Sequence, residues 1–401
     1  MGLLLRFLGL DGLPRSTRLS LAVAYGSSVA MVMGVSLLYP VLPAMVDQLQ
    51  VEEAEVALVI IVFTAPAIIL APLFGFLSDF YGRRRLLISS LFIFGGAGAA
   101  VGLAPSFEWV LTFRLLQGVA WSALSPLTIV LIGDLLEDRR EISGQGLKVI
   151  IDRVAIISLP VLGGLLALIS WRFPFFIYLL FVPLAILAIP WMPETCRAER
   201  PQRRLYFGGI VKAMSQPRLL SAFSAGFFRF FLDYGFFTFF PLYLSASHGV
   251  SPFESGLLLS FFGVGAILSA SQVGRLVQWV DRGRLLVGAF LVDAICLLIW
   301  PSLDSFLLWA ITLLAYGLAN GIISPIQKNL LTQSAPMQLR GGVVSVDRMF
   351  QQIGKSSAPA TLALVFFLGG FSPVFWTLGI LSVVSVLFAT AFLALGLKRR
   401  P

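Results

Sequence analysis

Residues 53–85 read EAEVALVIIVFTAPAIILAPLFGFLSDFYGRRR. From Val56 to Ser78 the run carries no charge, then stops at Asp79 and the arginine triplet Arg83, Arg84, Arg85. At ~1.5 Å of helical rise per residue, it can cross the ~30 Å hydrocarbon core of a bilayer. Apolar runs of this kind recur about every 30 residues along the chain. They are continuous and rich in Leu, Ala, Phe and Gly, without the alternation of a membrane barrel. The 401 residues are 58% apolar and 12% charged, against roughly 25% charged in a soluble domain. The pattern predicts an all-α polytopic membrane protein, because a bilayer leaves no water to satisfy an open backbone.

Twelve transmembrane helices are read, at 20–43, 53–78, 86–104, 107–132, 143–169, 172–192, 217–245, 253–279, 284–301, 305–333, 341–368 and 372–396. An even number puts both termini on one side. Arg6, Arg15, Arg18, Arg83 to Arg85, Arg139, Arg140, Arg275, Arg282, Arg284, Arg340 and Lys398 to Arg400 fall on that side, whereas the opposite loops carry Arg172 alone beside seven acids. By the positive-inside rule both N- and C-termini are expected to be cytoplasmic. The net charge of +9 is accounted for by these clusters, which speak for membrane orientation and against nucleic acid. Met1 to Leu10 is too short and too close to Arg6 to be a signal peptide, so the first span is read as uncleaved.

The long connector from Pro193 to Pro217 holds Arg197, Arg200, Arg203, Arg204 and Lys212. It divides the chain into an N-terminal six-helix bundle (1–192), a cytoplasmic linker (193–216) and a C-terminal six-helix bundle (217–401). The halves repeat one another. Gly34 and Pro40 recur as Gly235 and Pro241, Gly75, Leu77 and Arg85 as Gly274, Leu276 and Arg284, and Ser125-Pro126 as Ser324-Pro325, all at offsets of 199 to 201. Gly146 followed by Asp152-Arg153 is matched by Gly341 followed by Asp347-Arg348.

Gly75-Phe-Leu-Ser-Asp79-Phe-Tyr-Gly82-Arg83-Arg84-Arg85 resembles the signature loop of the major facilitator superfamily. Pro40-Val-Leu-Pro43, Arg114-Leu-Leu-Gln117-Gly118, Pro160-Val-Leu-Gly163-Gly164 and Trp171-Arg172 resemble its drug:proton antiporter branch. The chain departs from these patterns at Phe80, Leu159 and Gln278. The resemblance implies two pseudo-symmetric six-helix bundles that rock about a central site, export of small amphipathic molecules, and a cytoplasmic gate in which Asp79 and Arg83 change partners. The gate motif then comprises Gly75, Asp79, Gly82, Arg83 and Arg84. The residue types make physical sense of it: the glycines permit a tight turn, the aspartate can meet a helix N-terminus, and the arginines meet anionic headgroups. The plainer alternative is that the arginines only set topology.

An intramembrane charge costs at least ~2.5–3.5 kcal/mol on insertion scales, so each is a candidate functional group. The deep bases are Arg114, Arg153, Arg229, Arg348 and Lys355, and the deep acids Asp152, Asp233, Asp293 and Asp347. Lys148 and Lys328 lie near the cytoplasmic edge and are expected to snorkel. Asp347, Gln351 and Lys355 follow i, i+4, i+8, and Asn320, Ser324 and Lys328 form a similar row. Such stripes suit a water-filled cavity or a buried structural ion-pair network. Adjacent helical residues point ~100° apart, so Asp347 is placed on the cavity and Arg348 at its margin. Arg229 and Asp233, one turn apart, sit among eight phenylalanines between Phe227 and Phe240. Most of these rings are expected to face lipid or core, with Phe230, Phe236 and Phe240 the candidates to wall an apolar pocket. Asp293 is expected to have a structural partner, since the resemblance places its helix at the periphery.

No enzymatic constellation is found. The single histidine, His248, lies in an outer loop, Cys196 and Cys296 are far apart, and Gly354-Lys355-Ser356 lacks the first glycine and the strand of a phosphate-binding loop. No cofactor and no metal are expected. The function expected is proton-coupled efflux of drugs or metabolites, with Asp233 binding the proton and Arg229 as its switchable partner. Asp152 and Asp347 are the next candidates, and Arg114 would hold a carboxylate charged. Because deep bases outnumber deep acids, import of an organic anion is the alternative; a non-transporting receptor is a third. The partners expected are a small-molecule substrate, protons and the lipid bilayer of a bacterial inner membrane, with the protein a monomer. Replacing Asp79 by Asn should leave folding intact and slow transport, by weakening one conformational state. Parental transport rates in well-expressed protein would show that Asp79 is not part of a gate.

Overall fold

The computed structural model describes residues 12–194, 216–334 and 340–397. The linker bases Arg197, Arg200, Arg203, Arg204 and Lys212, and Lys398 to Arg400, lie outside them, and Gly75, Phe76, Asp79, Phe80 and Tyr81 are described by backbone alone. The described residues form α-helices and short 3-10 turns, with no strand. The first half contains α1 (Arg15–Ser36), α2 (Leu42–Leu49), α3 (Glu53–Val56), α4 (Leu58–Thr64), α5 (Pro66–Tyr81), α6 (Arg83–Gly102), α7 (Phe107–Leu135), α8 (Asp138–Ala167), α9 (Phe173–Phe176) and α10 (Phe181–Trp191). The second contains α11 (Pro217–His248), α12 (Pro252–Trp279), α13 (Arg282–Ile299), α14 (Phe306–Ser334), α15 (Arg340–Gly369) and α16 (Phe371–Leu397).

Among the described residues, ten helical stretches are long and apolar enough to cross a membrane, and the chain is a multi-pass membrane protein. Three apolar runs expected as single helices are segmented, at 39–41 beside Pro40 and Pro43, just before Pro66, and at 177–180 just before Pro183. Proline removes a backbone donor and crowds the preceding turn, which accounts for breaks at these places. The expected spans at 217–245 and 341–368 form the long helices α11 and α15, neither of which is among the ten apolar stretches. They carry the charges on which the site is built.

By packing, the chain divides into two units, Met1–Val51 with Val62–Glu199, and Glu52–Ile61 with Arg200–Pro401. In the first, α1 packs on α7, α8 and α10, while α6 and α5 pack on α7. In the second, α12 packs on α14, α11 on α15 and α16, and α13 on α14 and α16. The sequence repeat reappears as a repeated close approach. A methyl group on Gly118 would stand 2.2 Å from the Phe63 carbonyl oxygen, and one on Gly317 would stand 2.1 Å from that of Phe262. Both residues of the second pair lie 199 positions after those of the first. Small residues at such crossings let backbones meet, the means by which helices associate where lipid removes the hydrophobic drive.

Replacing Gly317 by Val should therefore push α12 and α14 apart. Overpacking of this kind costs about 1–3 kcal/mol, to be read as a lower denaturation midpoint in detergent. An unchanged midpoint would contradict the close crossing.

Candidate functional site

In the first unit the polar groups are paired locally. Lys148 Nζ lies 2.7 Å from Asp152 Oδ2, one helical turn away, and Ser28 Oγ from α1 donates to Asp152 Oδ1. Lys148, expected to do no more than snorkel, is thus the ion-pair partner of Asp152, because the i, i+4 spacing brings the two together. Arg153, adjacent, is half-buried. Arg114 is fully buried: Nη1 donates to Gln117 Oε1 at 2.7 Å, Nη2 donates to the Gly34 carbonyl at 3.0 Å, and the guanidinium lies 3.9 Å from the centre of the Phe63 ring. Neutral oxygens and a ring surround it, an arrangement that ties α7 to α1 and α4.

At the gate motif, Arg83 Nη1 pairs with Asp134 Oδ2 near the end of α7, and Arg84 Nη2 donates to the Ile189 carbonyl. Gly82 has φ 91°, a backbone open to glycine but strained for other residues, and a methyl group there would strike the Glu194 carboxylate. Asp134 and Glu194 escaped the sequence reading. Asp134 stands just past the end of the expected fourth span and Glu194 just past that of the sixth, where charges are ordinarily solvated.

The second unit holds a larger network on α11, α14 and α15. Asp233 is 6% exposed. It accepts from Tyr316 Oη at 3.0 Å and from Asn320 Nδ2 at 2.8 and 2.9 Å, while Arg229 Nε stays 3.9 Å from its Oδ2. Asn320 stands between acid and base, since its Oδ1 accepts from Arg229 Nε at 3.2 Å. Above the Phe230 ring sit two cations, the Arg229 guanidinium 4.6 Å and Lys355 Nζ 4.5 Å from its centre. Asp347 is 3% exposed and accepts from Gln327 Nε2 at 2.8 Å and Gln351 Nε2 at 2.6 Å; Gln327 also donates to the Ala222 carbonyl. Tyr316 and Gln327 were not singled out from sequence, although they lie four residues before and seven after Asn320, on one helical face.

Three expectations are corrected. Asp347 is packed between helices instead of facing open space, and its neighbour Arg348 is the partly exposed member of the pair. The amide side chains of Gln327 and Gln351 draw the carboxyl inward. Phe240, 0% exposed, is a core residue instead of a pocket wall, its ring packed on Phe236 and Trp300; Phe236, 1% exposed, also meets Tyr316 and Phe375 and borders a small void with Cys296 and Thr312. The remaining aromatic candidate, Phe230, is half-buried under the two cations. Asp293 is 1% exposed and its Oδ1 has no hydrogen-bond partner among the described residues.

The sequence profile of the Major Facilitator Superfamily matches residues 24–359 and 222–401. A bacillibactin exporter of Bacillus subtilis (strain 168) is 27% identical over 84% of this chain and 88% of its own length. The multi-drug resistance efflux pump PmrA of Streptococcus pneumoniae serotype 4 (strain ATCC BAA-334 / TIGR4) is 27% identical over 88% and 91%. In fold, the chain superposes with a TM-score of 0.77 on a bacterial homologue of the human lysosomal transporter Spinster, at 16% identity over 97% of this chain and 98% of the other.

Arg114→Lys retains the charge but cannot keep both of its directed bonds. Leaving one buried oxygen unpartnered costs about 1–3 kcal/mol, and a thermal denaturation midpoint measured in detergent should fall accordingly. A midpoint equal to the parent's would show that Arg114 does not hold the helices together.

Proposed function

Because the chain belongs to the Major Facilitator Superfamily, we propose that it is a secondary transporter that exports small amphipathic organic molecules in exchange for protons, by alternating access. The observation that carries this is the setting of Asp233. It is a buried carboxyl that accepts hydrogen bonds from the neutral Tyr316 and Asn320, with the guanidinium of Arg229 held at 3.9 Å. A proton on Asp233 would release Arg229, which does not bond the carboxyl directly, while Tyr316 and Asn320 stay beside it. A substrate carrying a basic or hydrogen-bond-donating group competes with the proton for the same oxygens, and competition for one site is the condition for exchange. The names of the two relatives, an exporter and an efflux pump, support the outward direction.

One observation favours a second reading. The acids Asp233 and Asp347 are buried, whereas Arg229, Arg348 and Lys355 are all partly exposed. An organic anion would bind these bases, draw Arg229 from Asp233 and leave that carboxyl free to take a proton, so that anion and proton travel together as in an importer. The two readings oppose each other in the sign of the coupling.

In everted vesicles with an inward-acid pH gradient, the parent should accumulate a fluorescent amphipathic dye. Asp233→Asn should lose that accumulation yet keep dye binding and downhill exchange. If Asp233→Asn still drives uphill movement, Asp233 does not carry the proton. If binding and every transport mode fail together, the Arg229–Asp233 pair is structural.

A further inference from the structure

The repeat that relates the two halves carries a clasp whose charge is answered in one and not in the other. In the first, Arg83 pairs with Asp134. Their counterparts 199 positions on are Arg282 and Gln333. Arg282 Nη1 donates to Gln333 Oε1 at 2.9 Å and to Asn329 Oδ1 at 2.8 Å, so the contact is rebuilt with neutral amides and a positive charge is left over. The adjacent acid, Asp281, caps α13 by accepting from the Gly283 N–H at 2.9 Å. Among the described residues no carboxylate forms an ion pair with Arg282. Both N–H groups of Nη1 are used. The other three, on Nε and Nη2, have no hydrogen-bond partner among the described residues, and the side chain is exposed. Those two nitrogens form the planar fork that receives two oxygens of a phosphate.

Arg282 stands at the rim of a cleft. Ala270, Val273 and Val277 of α12 and Pro325 and Ile326 of α14 form apolar walls around 280 Å³, and Gly274, Arg282 and Asn329 complete the lining. The cleft is open over Gly274, where an added methyl group would have no atom within 4 Å. Its volume is below the ~300–1,000 Å³ of a pocket that encloses a drug-sized ligand. Apolar walls ending in one cation suit part of a long apolar chain with an anionic head. The level of the cleft is marked by Trp279, 87% exposed at the end of α12, a residue type that collects where hydrocarbon meets headgroups. Arg275, Arg284 and Lys328 are exposed at the same helix ends, and with Arg282 they set four bases against Asp281. Basic pockets between membrane helices are recognition sites for anionic lipid headgroups.

We propose that the cleft between α12 and α14 binds one anionic phospholipid of the surrounding bilayer, its phosphate on the Nε and Nη2 fork of Arg282 and part of an acyl chain along the apolar walls. A free phosphate would use the fork but leave the walls bare. A zwitterionic lipid would cover the walls but bring its own cation to a face already rich in them. Asn329 and Gln327, two residues apart on α14, point to opposite sides of the helix, so the cleft is separate from the network in which Gln327 meets Asp347. The inference goes beyond the transport reading and requires neither its direction nor its coupling.

Native mass spectrometry of the purified full chain in detergent tests it, with dioleoyl phosphatidylglycerol and dioleoyl phosphatidylcholine as probes and inorganic phosphate as competitor. The parent should retain one phosphatidylglycerol under conditions that strip phosphatidylcholine, and inorganic phosphate should not displace it. Arg282→Gln should weaken phosphatidylglycerol binding about tenfold. Arg284→Gln removes the same charge two residues on, from the other side of α13, and should change it little. Gly274→Leu fills the open part of the cleft and should weaken both lipids. If Arg282→Gln yields no protein, Gln333→Glu restores the acid of the first half and should weaken phosphatidylglycerol alone. Equal losses in Arg282→Gln and Arg284→Gln would overturn the proposal by reducing the effect to general attraction for a basic surface. Displacement by inorganic phosphate, or unchanged lipid binding in Gly274→Leu, would also overturn it. Absence of proton-driven transport would count against the proposed function alone and leave the lipid result standing.

Discussion

The constraint on which the second unit depends is that a charge inside a bilayer must be answered by protein groups. Asn320 is where that requirement is met. Its amide donates to both oxygens of Asp233 and its carbonyl accepts from Arg229, so one neutral side chain spaces an acid and a base that would otherwise close on each other. A closed pair in low dielectric would be hard to reopen, whereas a spaced one leaves the acid exchangeable. The same economy is seen at Asp347, whose oxygens are met by Gln327 and Gln351. Amides of this kind satisfy hydrogen bonds without fixing the net charge.

The first unit solves the problem differently. Asp152 is matched directly by Lys148, and Arg114 is enclosed by Gly34, Gln117 and Phe63. The duplication extends to the helix crossings, where Gly118 meets Phe63 as Gly317 meets Phe262, but not to the chemistry above them. The position that corresponds to Arg114 in the second half, 199 residues on, is Leu313. One half carries a rigid clasp where the other carries apolar packing, and the hydrogen-bonded acid network lies on α11, α14 and α15.

The fold was legible because continuous apolar runs and the offset repeat are direct consequences of bilayer thickness and duplication. The motif at Gly75 to Arg85, together with those at Pro40, Arg114 and Pro160, resembles the family whose profile matches the chain. The site was legible only in part. Arg229, Asp233, Asn320 and Lys355 stand out as polar residues in apolar helices, and they do come together. Phe240 misled because an apolar ring carries no mark of whether it faces a pocket or a core; only its contacts with Phe236 and Trp300 place it inside. Asp347 misled because its stripe shows the face it occupies but not the glutamine that α14 brings against it. Asp293 is expected from the position of its helix to have a structural partner, whereas among the described residues its Oδ1 has none.

Exchange requires that substrate and proton exclude each other at Asp233. The direct measurement is the number of protons released or taken up when a lipophilic dye cation binds to the purified protein, obtained by calorimetry in two buffers of different ionisation heat. Antiport predicts release of protons by the parent as binding saturates, and none by Asp233→Asn. Uptake of protons on binding, or release that persists in Asp233→Asn, would contradict it.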